Sequence, residues 1–168
     1  MLSSVVWGGH DGRTAWVSRY ADGYIYWAVK DDPDDPNMLE WKLDDAGESP
    51  IEPTNAYPFD VHTRPWYKSV IEAREATWSE PFLWVGGEDG APPTLGLSYG
   101  IPVYDDHEQM LGVIDADFSL NDLSKFLNAI HVSDRGFLAL VGPDGKLVAG
   151  SGAILADSRL AVRQSLAE

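Results

Sequence analysis

Two Asp-Gly pairs, Asp11-Gly12 and Asp22-Gly23, limit what the N-terminal part of this chain can become. Each sits between runs rich in β-branched and aromatic residues: Ser3–Trp7, Thr14–Tyr20 and Tyr24–Val29. Asp-Gly supplies the left-handed backbone that a tight hairpin turn needs, and connections this short join only antiparallel strands. The pattern therefore predicts an antiparallel meander. It returns further along, where Phe82–Val85, Thr94–Val103 and Met110–Asp117 read as strands. Gly86-Gly87-Glu88-Asp89-Gly90 and Asp105-Asp106 separate them as turns. Residues 31–56, with Asp31-Asp32-Pro33-Asp34-Asp35-Pro36 and further Pro and Gly, read as a long surface loop with one short strand near Met38–Leu43.

Helical spacing appears twice. Pro65 fits the first turn of a helix, where its missing N–H would be unpaired anyway. Behind it Trp66, Val70 and Ala73 recur on one face, with Tyr67 and Ile71 alongside, out to about Ala76. Arg64 then stands at the helix mouth, near exposed backbone donors and the positive end of the dipole, a corner that suits a carboxylate or similar anion. A purely structural arrangement would instead pair Arg64 with Asp60 and bury the aromatics. Ser119 caps a second helix, with Asp122 three residues on and Leu120, Leu123, Phe126, Leu127 and Ile130 as its apolar face. The whole predicts an α+β fold: about five or six antiparallel strands in a PAS-like sheet flanked by helices.

Charge removes whole classes of partner. The 168 residues carry a formal net charge of −15, which disfavours nucleic acid and anionic membrane surfaces. A hydrophobic content of 44% is enough for a packed core. There is no cysteine, and the four histidines (His10, His62, His107, His131) are scattered, so neither thiolate chemistry nor a metal site is expected. The acidic run at 31–36 lacks the alternating Asp and central Gly of a calcium loop. No nucleophile elbow, phosphate loop, zinc helix or dinucleotide fingerprint occurs, and no cofactor is expected. No apolar run approaches the length of a membrane span and no signal peptide opens the chain.

Phe59-Asp60 followed by Arg64-Pro65-Trp66-Tyr67 resembles the signature of double Cache sensor domains, the extracytoplasmic ligand-binding modules of bacterial receptors. Trp78-Ser79-Glu80-Pro81-Phe82, Gly100-Ile101-Pro102-Val103-Tyr104 and the junction Leu111-Gly112-Val113-Ile114-Asp115-Ala116-Asp117-Phe118-Ser119-Leu120 are similar to later motifs of that family, in the same order. The resemblance implies a Cache-type fold. It also implies an extracytoplasmic (periplasmic or extracellular) sensor of a chemoreceptor, histidine kinase or nucleotide cyclase, with no enzymatic activity. Its partner would be a small carboxylate-, amine- or amino-acid-like ligand. The membrane would be reached only through flanking helices outside this chain, and a homodimer is possible. Residues 1–130 would form the membrane-distal module and 131–168 a partial second module or hairpin extension, with Gly136–Val141 and Lys146–Ala149 flanking a turn at Pro143-Asp144-Gly145.

By that resemblance the ligand-binding residues are Arg64, Trp66, Tyr67, Phe82, Asp115 and Asp117. Arg64 and Asp117 would form two poles, with the aromatics as walls. The family's amino-acid-binding branch has a Tyr where this chain has Phe59, another where it has Phe82, and an Asp where it has Trp84, so the pocket here should be more apolar. Asp115 and Asp117 lie two apart on a strand and so share a face. That leaves a carboxylate-dependent hydrolase as the rival reading, and a ligand-free interaction module as a third.

Overall fold

The computed structural model of the chain describes residues 2–20, 22–86, 94–133, 136–142 and 145–151. Strands β1 (Ser4–Gly9), β2 (Thr14–Arg19) and β3 (Ile25–Lys30) form the expected meander. Its two turns carry Gly12 at φ 93° and Gly23 at φ 87°, in the left-handed region that Asp-Gly was expected to supply. The chain continues through β4 (Asn37–Leu43), β5 (Pro50–Pro58), a 3-10 turn at Val61–Thr63 and helix α1 (Pro65–Ala73). Two short strands follow, β6 (Thr77–Trp78) and β7 (Phe82–Leu83), then the long strands β8 (Leu95–Tyr104) and β9 (Met110–Ser119).

These nine strands make one sheet in the order β5-β4-β3-β2-β1-β9-β8-β6, with β7 also on β8. Every pairing with a defined register is antiparallel. The architecture is the expected PAS-like α+β sheet, but with more strands than five or six. Residues 31–56 are only partly loop. Asp31 to Pro36 are exposed, whereas 37–43 and 50–58 are paired strands. Pro50, Pro53 and Pro58 argued against a strand, because proline donates no ladder bond. They are tolerated because β5 is the sheet's edge and its pairing with β4 is broken by two irregularities in register.

Helix α1 starts at Pro65 as expected and stops at Ala73 rather than near Ala76, because Arg74 turns to φ 57°. It lies against β8, and Trp66, Tyr67 and Val70 are its buried residues. A side chain at Gly8 of β1 would collide with the Trp66 ring, so the indole rests directly on the sheet backbone. Around it pack Val6, Phe59, Val61, Phe82 and Val113.

The described residues divide into two compact units, Leu2–Asp117 and those from Phe118 onward. In the second unit Ser119 accepts the Asp122 N–H at 3.1 Å and opens helix α2 (Leu120–Ala129). The Asp122 carboxylate turns to Lys125 at 3.0 Å. None of α2 is buried, and it contacts β11 (Leu147–Gly150), which pairs antiparallel with β10 (Ala139–Val141). Pro143-Asp144 of the anticipated turn, and Gly87–Gly90 of the earlier one, lie outside the described residues.

Candidate functional site

Sheet register assembles a polar row that no stretch of sequence contains. On adjacent strands Ser18 of β2 stands opposite Ser4 of β1, and Ser4 stands opposite Asp117 of β9. The Ser4 and Ser18 hydroxyls share a hydrogen bond of 2.7 Å. From β8, the Ser98 hydroxyl donates to Oδ1 of Asp117, and the Ser98 N–H donates to Ser79 Oγ at 3.0 Å. All five residues are buried. Ser4, Ser18 and Asp117 form the floor of a cleft of about 340 Å³, measured out to its open mouth, at the small end for ligand sites.

Arg64 lines the same cleft, held there by the turn before α1. Its Nη2 donates to the Leu83 carbonyl at 2.9 Å. Its guanidinium carbon lies 5.8 Å from the Phe59 ring centroid and 5.7 Å from that of Phe82, within cation–π range of both. Its Nε is buried with no hydrogen-bond partner. Burial pulls the Arg64 pKa down, opposed by the negative charge of Asp117. The anticipated pairing with Asp60 does not form. Asp60 accepts the His62 backbone N–H and sits 3.0 Å from His62 Nδ1, capping the 3-10 turn. Among the described residues no direct ion pair joins Arg64 to Asp117 either, although both face one space.

Aromatic rings make the walls. Trp66 and Phe82 contribute as expected, together with Trp16, Phe59, Tyr20 and Trp84. Trp16 is edge-on to Phe59 at 5.1 Å and stacked on Tyr57 at 6.5 Å. The Trp84 Nε1 is buried without an acceptor. Behind the Tyr20 wall lies Glu40, fully buried, whose Oε2 accepts from the Tyr20 hydroxyl at 3.2 Å and the Tyr57 hydroxyl at 3.3 Å. Tyr20 also reaches the Val85 carbonyl at 3.4 Å. Burial, then the Glu40 charge, pushes both phenols above the ordinary tyrosine range.

Four of the six anticipated residues, Arg64, Trp66, Phe82 and Asp117, meet at this cleft. Tyr67 does not. Adjacent helical residues point about 100° apart, so with Trp66 facing the cleft Tyr67 faces His10 and His62. Its hydroxyl is 3.3 Å from His10 Nδ1 and its ring is edge-on to His62 at 5.4 Å. Asp115 is also outside the lining. It shares the Asp117 face, but two residues along a strand is about 6.5–7 Å, and there it is fully buried with neither carboxylate oxygen hydrogen-bonded. Burial first, then the Asp117 charge, drives the Asp115 pKa up. Burial also raises that of Asp117, while the Ser98 and Ser4 hydroxyls and Arg64 pull it back. Among the described residues no cluster of side chains could hold a metal ion, and no helix is long and apolar enough to cross a membrane.

Sequence reasoning missed Ser4, Ser18, Trp16 and Tyr20 as site residues. They come from β1, β2 and the end of β2, and only the β2-β1-β9 order brings them to Asp117. Phe59 and Trp84 carried a signal, since both lie in or beside the quoted motifs.

The chain is 30% identical over 104 residues to the methyl-accepting chemotaxis protein PctB of Pseudomonas aeruginosa, covering 61% of this chain and 16% of that protein. It is 29% identical over 103 residues to PscA of Pseudomonas syringae, covering 61% and 14%. In shape it is similar to the ligand-binding domain of the Campylobacter jejuni chemoreceptor Tlp3 in complex with L-norvaline, with TM-score 0.55 and 15% identity over 94% of this chain and 47% of that one. It is also similar to that of PctB in complex with L-Gln, with TM-score 0.50 and 21% identity over 86% and 44%. The chain thus spans less than half of these ligand-binding domains and a small part of the full receptors. The family described as methyl-accepting chemotaxis protein-like, first PDC sensor domain, matches residues 23–125, and the chain belongs to it.

Proposed function

We propose that the cleft between α1 and the sheet binds a small molecule carrying a carboxylate and an ammonium group, as the sensing step of an extracytoplasmic receptor module without enzymatic activity. One observation carries this reading: Arg64 and Asp117, opposite in charge and not paired with each other, line one small cavity walled by aromatic rings. The ligand carboxylate meets Arg64, and its ammonium meets the Asp117 carboxylate. Relatives with amino-acid ligands support it: PctB is described with L-Gln and with L-Arg, and Tlp3 with L-norvaline. In the whole receptor, binding would favour one conformation of the module over another and so carry the signal towards a membrane segment.

The two-carboxylate hydrolase is the weaker reading, because Asp115 is sealed from the cleft and could not reach a substrate or water there.

Calorimetric titration with amino acids, ω-amino acids, carboxylates and amines tests the proposal. At 100 times Kd a true ligand stabilises the chain by about 2.7 kcal/mol in thermal melts. Arg64→Ala should weaken that ligand by about 2–5 kcal/mol. Loss of melting temperature in the ligand-free variant, with affinity unchanged, would assign Arg64 to structure instead.

A further inference from the structure

Asp115 is a buried acid with no part in lining the cleft. It stands opposite Val6 of β1, it is fully buried, and neither of its oxygens receives an N–H or O–H from any described residue. Donor counting accounts for this. Ser98 of β8 lies beside both acids, and its single hydroxyl proton goes to Oδ1 of Asp117. Ser4 and Ser18 are bonded to each other at 2.7 Å, and Arg64 Nη2 is given to the Leu83 carbonyl. What remains beside Asp115 is the Asp117 carboxyl, on the same face of β9. Two ionised carboxylates are both acceptors and only repel, whereas one that keeps its proton can donate to the other. The electrostatics fit such a pair. Burial first, then the Asp117 charge, raises the Asp115 pKa, and contact with the Asp117 carboxyl adds to the rise. Burial raises that of Asp117 too, but there the same contact acts downward, beside the Ser98 and Ser4 hydroxyls and Arg64. One side of the contact behaves as donor and the other as acceptor.

Resting on the two-pole reading above, we infer that Asp115 is the positioning residue of the anionic pole: it keeps its proton at neutral pH and donates it to Asp117, so that the pair carries one negative charge and loses it on acidification. Held by Ser98 from β8 and by Asp115 along β9, Asp117 presents a fixed carboxylate to the cleft, one charge against the one on Arg64. Below the pH at which Asp117 is protonated in its turn, a ligand ammonium has no anion to meet. Binding then requires that proton to leave, and affinity falls by about tenfold per pH unit. Few other groups face the pair among the described residues. The turn before α1 presents Arg64, and the end of β2 presents Tyr20, whose hydroxyl is turned to Glu40. β1 and β8 present the Ser4 and Ser98 hydroxyls and α1 the Trp66 indole, none of which titrates near neutral pH. The acid pair is therefore what links the ligand to the surrounding pH.

Carbon-detected NMR of the aspartate carboxyls, followed through pH on the ligand-free chain, tests the shared proton. Asp115 should be protonated and Asp117 ionised at pH 7. Asp115→Leu removes the donor at similar shape, and the Asp117 midpoint should rise by about one pH unit, a tenfold effect for a lost hydrogen bond to a charged group. Asp115→Asn keeps an N–H donor and should restore the parent midpoint. Should the Leu variant fail to fold, the parent and the Asn variant still decide, since one acid of the pair is protonated at pH 7 in the first and none in the second. Both acids in the same state at pH 7, or equal Asp117 midpoints in the Leu and Asn variants, would overturn the positioning role. Calorimetric titration with L-norvaline and L-glutamine from pH 5 to pH 8, where both amino acids keep their charges, tests the link to binding. Affinity should fall below the Asp117 midpoint, and in Asp115→Leu the fall should begin at higher pH. An affinity flat across this range would overturn the pH link. Failure of both amino acids to bind at any pH, with the shared proton seen by NMR, would overturn the two-pole reading and the pH link with it, and leave the Asp115–Asp117 pair standing.

Discussion

At the scale of single residues, Asp115 is a side chain whose burial should cost stability. It is fully buried, neither oxygen has a hydrogen-bond donor, and the Asp117 carboxylate lies two residues away on the same face. Burial and that neighbouring charge raise its pKa in the folded protein, so the folded state holds a proton that the unfolded chain releases at the ordinary Asp value near 3.9. Because the folded state binds more protons, its contribution to stability is fully present below about pH 4 and declines as pH rises through the folded-state value. Asp115→Asn removes the titration. The variant should therefore unfold with a flatter pH dependence, and its stability relative to the parent should rise between pH 5 and pH 8 by on the order of 1.4 kcal/mol per pH unit, the free energy of holding the Asp115 proton. Urea melts at pH 5 and pH 8 check this. A variant whose advantage is the same at both pH values, or absent, shows that Asp115 is charged and compensated in the folded chain. Residue identity alone could not foresee the different roles of the two acids: on sequence Asp115 and Asp117 look equivalent, and the structure separates them by placing Asp117 on the cleft with Arg64 and Ser4 while Asp115 lies outside the lining.

At the scale of elements, turn chemistry was legible and edge strands were not. Asp11-Gly12 and Asp22-Gly23 fixed the first hairpins because left-handed backbone has few sequence solutions. Pro65 located the start of α1 for an equally local reason. Strand β5 escaped because three prolines read as loop unless the strand is known to be an edge, which is a property of the sheet order and not of residues 50–58. The site divides along the same line. Arg64, Trp66, Phe82 and Asp117 were legible because each sits in a motif; Ser4, Ser18 and Tyr20 join them through strand order alone. The end of α1 supplies a test of local backbone energetics. Arg74 holds φ 57° and its N–H reaches the Val70 carbonyl, a left-handed cap that glycine adopts without a Cβ penalty. Arg74→Gly should stabilise the chain by about 0.5–1 kcal/mol, seen as a higher urea midpoint at unchanged slope. A lower midpoint would mean that the Arg74 side chain makes a stabilising contact that outweighs its backbone strain.

At the scale of the whole molecule, charge is the dominant property. Asp and Glu number 27 against 12 Lys and Arg, giving −15 over 168 residues. Much of that charge is exposed, as in Asp31 to Pro36 and at Asp106. Like charges held close in the folded chain repel more than in the expanded unfolded one, so the native state carries a penalty that salt should relieve. The Debye length falls from about 30 Å at 0.01 M to about 8 Å at 0.15 M, which screens charges spread over such a surface. Relief of roughly 1 kcal/mol corresponds to a rise of about 2–4 °C for a chain of this size. Thermal melts at 10 and 150 mM sodium chloride should show that rise. The cleft behaves differently, since Arg64 and Asp117 cancel and a zwitterionic ligand brings no net charge. Its affinity should change less than twofold over the same salt range, whereas a cationic ligand drawn by the acidic surface would lose several-fold. Measuring both quantities on one sample separates surface from site. A melting temperature that does not move would show that the acidic groups are already compensated. A ligand affinity that falls steeply with salt would show that the net surface charge, and not the Arg64–Asp117 pair, holds the ligand.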